Sequence, residues 1–169
     1  MRDCSACRKG KQTQNPIPDT TQTHSSEVLG HVFSNLCRPM EIPSIEGYQY
    51  FITFTNDHSQ YTSLSLCKHK DDTLVLFKAW KACAERETRK LIKVFCSDGG
   101  GEYLSLAFSD YLKSCSIKHG VTNVYTPQEN GVSECANHTI NTLAQSIIAD
   151  AKERLQVKAL PLALWPQAI

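Results

Sequence analysis

Two carboxylates and one amide in this 169-residue chain stand where chemistry could be done. Asp98 ends the strand-like run LIKVFCSD (91–98) and is followed at once by Gly99, Gly100 and Gly101. Strand ends of open α/β sheets are where ligands collect, and glycines let a backbone approach them closely. Glu134 falls in a long apolar-periodic stretch, in line with His138, Asn141 and Gln145 at helical spacing, while Ala136, Ile140, Leu143 and Ile147 make the opposite, sheet-facing stripe. Taken singly, an Asp before glycines is ordinary turn chemistry and a Glu in a polar stripe is a solvated helix face. Asn35 lies in the middle of VFSNLCRPM (32–40), and it raises the question of whether an amide stands in place of a carboxylate. Near the N-terminus, Cys4 and Cys7 offer two of the four ligands that a structural zinc requires.

These residues need elements to hold them. Residues 1–27 are polar, carry Pro16 and Pro18 and have no periodicity, so they read as a tail or linker, with residues 28–169 as the domain. Residues 31–36 can form a strand. The run 48–55, with Tyr48, Tyr50, Ile52 and Phe54 on one face, and the run 61–67 flank the turn NDHSQ, which predicts an antiparallel hairpin. Asp71 or Asp72 can cap a helix in which Leu74, Phe77, Trp80 and Ala84 recur at helical spacing. The strand 91–98, a helix around Leu106, Phe108, Tyr111 and Leu112, a short strand at 116–119 and a helix over 127–155 opened by Pro127 complete the order. A hairpin-linked trio of strands followed by β-α-β units predicts an α/β layer fold with a mixed sheet.

The bulk numbers constrain the rest. A chain 41% hydrophobic and of this length buries one substantial core. A net charge of +1 says little on average, so a nucleic-acid surface would have to be local. No apolar run reaches the ~18–20 residues of a membrane span, and no signal-peptide core is evident. Cys37, Cys67, Cys83, Cys96, Cys115 and Cys135 are scattered through strand-like and helix-like segments, the pattern of reduced, partly buried thiols and of an intracellular protein. Trp80 and Trp165 read as packing residues rather than stacking platforms for bases.

The wording around the two carboxylates carries a resemblance. SDGGGEY (97–103) and YTPQENGVSECANHTI (125–140) resemble the second and third signature blocks of the integrase catalytic core of copia-type LTR retrotransposons, within the retroviral integrase superfamily. In that family Asp-Asn-Gly-Gly-Glu-Tyr/Phe precedes Thr-Pro-Gln-x-Asn-Gly-x-x-Glu, with 35 residues between the Asp and the Glu. The same 35 residues separate Asp98 from Glu134. PSIEGYQYFITFTNDHSQYT (43–62) and LPLALWPQAI (160–169) resemble further family segments, and CSACRKGKQ (4–12) resembles the end of a His-His-Cys-Cys zinc module.

The resemblance implies a ribonuclease-H-like fold with a mixed five-stranded sheet and helices on both faces. It implies metal-dependent processing of retroelement DNA ends and their transfer into target DNA, on Mg²⁺ or Mn²⁺. Opening a phosphodiester calls for one oxygen to be activated and another stabilised as it leaves, which two clamped dications can do. The clamping trio implied is the residue at 35, Asp98 and Glu134. Ser34-Asn35 matches the family's Ser-Asp and CRPM (37–40) its Cys-Gly-Pro-Met, so Asn35 stands at the first aspartate's place and marks a degenerate site. An Asn offers a metal one neutral oxygen, without charge or carboxylate bridge. Asp57, the nearest acid in sequence, belongs to a turn that is not catalytic in the family. Gly99 and Arg38 also depart from the pattern, and no Lys or Arg occurs between Lys118 and Lys152, where the family carries phosphate-facing cations. Nucleic-acid contacts are expected at Asn130, Gly131, Lys118 and His138. Zn²⁺ at Cys4 and Cys7 is expected only with upstream ligands that the chain lacks. DNA, a homo-oligomeric partner and a nuclear site of action follow from the same likeness, with no membrane. The alternative expectation is a catalytically dead nucleic-acid-binding or assembly module that keeps the fold.

Overall fold

Burial alternates along the first strand. In the computed structural model, which describes residues 24–37 and 39–121 together with Ile140 and Pro166, β1 spans His31–Leu36. Val32, Ser34 and Leu36 are buried on one face of it while Phe33 and Asn35 take the other. β2 (Tyr50–Asn56) and β3 (Thr62–Cys67) form the expected hairpin. Asn56 closes its turn: its side-chain oxygen accepts from the backbone N–H groups of Leu29 and His58, and its own amide donates to the carbonyl of Tyr61. A 3₁₀ turn at Lys70–Asp72 leads into α1 (Thr73–Thr88). β4 (Val94–Ser97), a short helix α2 (Gly101–Leu104), α3 (Leu106–Ser114) and β5 (Lys118–Val121) follow.

The five strands form one sheet in the order β3-β2-β1-β4-β5. β1 pairs antiparallel with β2 and parallel with β4, and β5 pairs parallel with β4, so the sheet is mixed as expected. The β-α-β crossings place α1, α2 and α3 against it. Phe77 of α1 is fully buried at the centre of that layer, with its ring 4.5 Å from Phe95, 5.4 Å from Phe108 and 6.0 Å from Phe54. Burying such a ring stabilises the fold by about 1.5–3 kcal/mol. Trp80 stacks on Phe54 at 4.7 Å, which makes it a packing residue; Trp165 lies outside the described residues. Cys67 is a buried thiol, and burial pushes it up to about 12. No helix among the described residues is long and apolar enough to cross a membrane.

Four details differ from the sequence expectation. Asp72 precedes α1, but its carboxylate accepts from the N–H groups of Lys68 and His69 and so braces the turn before the helix. β4 starts at Val94 rather than 91, because the Ile92 amide donates to the Glu85 carboxylate and leaves the ladder. The last strand, expected at 116–119, lies at Lys118–Val121. Residues 24–27, read as linker, are tied to the sheet: Asp57 accepts from the Ser25 amide and pairs with His24, and Glu27 pairs with Lys93.

Candidate functional site

β1 and β4 run side by side in the same direction, and their last register pair is Ser34 with Ser97. Asn35 and Asp98 are the next residues on each chain, so they sit together at the C-terminal edge of neighbouring strands that run ~4.8 Å apart. Two residues separated by more than sixty in sequence are thereby brought to one place, where the sheet's strand ends open. Asn35 is half-buried, and its backbone carbonyl accepts from the hydroxyl of Thr53 across the β1–β2 ladder at 3.3 Å. Asp98 Oδ1 accepts from the amide of Gly100 at 3.2 Å, which folds the carboxylate over the glycine turn.

Gly100 has a role that only a residue without a side chain fills easily. Glu102 Oε1 and Asp98 Oδ1 lie 2.8 and 3.0 Å from the position a Cβ on it would take. The two carboxylates therefore converge above this residue, and Glu102 joins the negative end of the site although the sequence reading did not select it.

Beneath Asn35 and Asp98 lies a polar layer that the sequence reading missed. The hydroxyl of Ser34 meets that of Tyr103 at 2.8 Å, and Ser97 Oγ meets His119 Nε2 at 2.9 Å. Burial holds the Tyr103 phenol protonated far above the usual tyrosine range; its hydrogen bond to Ser34 opposes that, and the charges of Asp98 and Glu102 reinforce it. Burial also pushes the His119 imidazole below its ordinary value, towards the neutral form. A signal was available in sequence: Ser34-Asn35 and Ser97-Asp98 repeat one pattern, a polar residue on the core face directly before the site residue.

Asp57 cannot stand in for a carboxylate at 35. Its amide donates to the carbonyl of His31, at the opposite end of β1, roughly 13 Å from Asn35 at the rise of a strand. Lys118 is likewise remote from Asp98. It opens β5 opposite Val94, about 10 Å along the strand from the pair formed by Val121 and Ser97. Glu134, Asn130, Gly131, His138, Cys4 and Cys7 lie outside the described residues. Among the described residues no three His, Cys, Asp or Glu side chains gather to hold a metal ion. Asn35 and Asp98 alone do not fit a pair of dications, since they bring one charge where clamping needs several.

The integrase core domain family matches residues 26–127. Over its full length the chain is 37% identical to the retrovirus-related Pol polyprotein from transposon TNT 1-94 of Nicotiana tabacum, of which it covers 12%. It is 30% identical over 168 residues to the corresponding polyprotein from transposon RE2 of Arabidopsis thaliana, of which it covers 11%. The chain thus spans about a tenth of the length of these curated relatives. Two solved structures share the fold. The simian T-cell lymphotropic virus intasome in complex with PP2A regulatory subunit B56 gamma gives a TM-score of 0.64 at 17% identity, over 98% of this chain and 55% of that one. The HTLV-2 integrase catalytic core domain in complex with magnesium, in trimeric form, gives 0.54 at 18% identity, over 82% of this chain and 80% of that one. The five-stranded mixed sheet is that of the ribonuclease-H-like fold, and the chain belongs to the integrase core domain family.

Proposed function

We propose that the chain is an integrase catalytic core that has lost most of its catalytic power, descended from an activity that processes and joins retroelement DNA ends to target DNA. The observation that carries the reading is the juxtaposition of Asn35 with Asp98 at the ends of β1 and β4. The family's activity needs carboxylates at that edge, and here one of the two is an amide. A divalent metal, when bound in such cores, supplies charge to the phosphate oxygens and activates the attacking oxygen. The chain's own contribution is what changes. Asp98 keeps its charge and its turn, Asn35 presents a neutral oxygen, and Glu134 is the third member of the proposed trio.

Replacing a carboxylate by an amide removes charge and a bridge at once, which should cost several kcal/mol of transition-state stabilisation and a rate loss of about three or more powers of ten. The absence of Lys and Arg between Lys118 and Lys152 favours a second handicap, weak docking of the DNA backbone. Mn²⁺-dependent cleavage and joining of a labelled oligonucleotide that mimics an element end, at low salt, tests this for the chain as it stands and for Asn35→Asp. The unmodified chain should show no joining above background, and the revertant should recover less activity than metal affinity. Robust turnover by the unmodified chain would overturn the reading. The same amide favours the rival reading, a non-enzymatic nucleic-acid-binding or assembly module, which a metal-blind revertant that still binds DNA would support.

A further inference from the structure

We propose that Tyr103 and His119 are positioning residues: through the hydroxyls of Ser34 and Ser97 they hold the ends of β1 and β4 in register and so fix the separation of residues 35 and 98. The proposal deepens the reading above, on which it rests only for what the two positions do.

The argument starts from a break in pattern. On the core face of β1, Val32 and Leu36 are apolar neighbours of Ser34, and on β4 Phe95 precedes Ser97 on the same face. Both serines are 2% exposed, and they are partners in the parallel ladder. A hydroxyl buried at an apolar position is costly unless it is bonded, so each must be met from the core. Each is met by one side chain from a different element, Tyr103 from α2 and His119 from β5.

The direction of the bonds gives them an orienting effect. Ser97 Oγ donates to the carbonyl of Asp98 at 3.1 Å, which uses its only proton. In its Nε2–H tautomer His119 donates to Ser97 Oγ, and the relay ends on the peptide unit that carries Asp98. On the other strand the Tyr103 phenol holds the residue just before Asn35. One aromatic wall fixes both donors. The Phe95 ring lies 5.9 Å from Tyr103 and 5.9 Å from His119, and Phe108 lies 5.6 Å from the first and 6.4 Å from the second. The pinning falls where it matters mechanically, because the β1–β4 ladder stops at Ser34 and Ser97, and beyond it β1 is held by β2 alone while β4 runs out into the glycine turn.

Two bonds that merely satisfied buried groups would affect overall stability and nothing local. Amide hydrogen exchange of the metal-free chain separates the two cases. Tyr103→Phe should speed exchange at residues 35–37, and His119→Leu at residues 97–99, by about tenfold, with Val32 and Phe95 unchanged. His119→Gln, which keeps an N–H donor, should stay within about twofold of the parent at the same amides, and Ser97→Ala should behave as His119→Leu does. In the Asn35→Asp background, Tyr103→Phe and His119→Leu should each weaken Mn²⁺ binding about three- to tenfold while His119→Gln leaves it intact. Uniform acceleration across the sheet, no acceleration at these amides, or indistinguishable Leu and Gln variants would overturn the proposal. An Asn35→Asp parent that binds no Mn²⁺ would instead overturn the reading of the site, and the exchange data would still decide the positioning role.

Discussion

Asn35 and Asp57 show how little residue type says without position. Asn35 stands where the resemblance implies a first-strand acid, Asp57 is the nearest acid in sequence, and the sheet separates them by the length of β1. Asn35→Asp should bind Mn²⁺ at least about tenfold more tightly than the unmodified chain, since ligand charge sets dication affinity; isothermal titration at low ionic strength measures it. Asp57 does structural work. Its side chain, largely buried, accepts from the Ser25 amide and pairs with His24 at 2.9 Å. Asp57→Ala leaves the half-buried N–H of Ser25 unmatched and should cost about 1 kcal/mol in urea unfolding. Made on top of Asn35→Asp, it should leave Mn²⁺ affinity unchanged; a large loss there would mean that Asp57 reaches the site after all.

Elements were legible where a run of strand-forming residues is bounded by turn residues. β1 falls on 31–36 residue for residue, and the hairpin follows its two runs on either side of the turn, with β2 buried on both faces by Ile52 and Phe54 on one and Phe51, Thr53 and Thr55 on the other. The apolar run 91–97 hid its own start, since Ile92 is buried yet bonded to Glu85 rather than to a strand. The glycine triplet read as a turn, but Gly101 opens the single helical turn that swings Tyr103 beneath β1. α1 is the element on which the layer depends, so Phe77→Ala should lower stability by about 3–5 kcal/mol in a denaturant titration. His119 gives the sheet a pH signature. Its folded value is depressed below the ordinary 6.5, so the unfolded chain binds a proton first and stability falls as pH drops below that value. The urea midpoint should decline between about pH 7 and pH 5, and His119→Gln should decline less; identical profiles would mean that the imidazole does not stay neutral in the fold.

At the scale of the whole molecule, the mixed sheet turns two distant sequence blocks into one edge. The order of elements along the chain was readable from pattern alone, and the candidate site was named only by the resemblance of the blocks around its members. The supporting layer of Ser34, Ser97, Tyr103 and His119 was not, since a buried hydrogen bond between distant elements leaves no periodicity behind. Docking of DNA depends on where cations cluster, and a chain without Lys or Arg between Lys118 and Lys152 should bind an end-mimic duplex weakly, with an affinity that falls further as salt rises from about 50 to 200 mM. The central claim, a degenerate metal site at the ends of β1 and β4, is tested most directly by a crystal structure of the Asn35→Asp chain with Mn²⁺, located by its anomalous scattering. The account predicts manganese among the carboxylates of residues 35, 98 and 134, with those of Asp98 and Glu134 within about 12 Å of each other. Manganese elsewhere, or those two carboxylates farther apart than that, would contradict it.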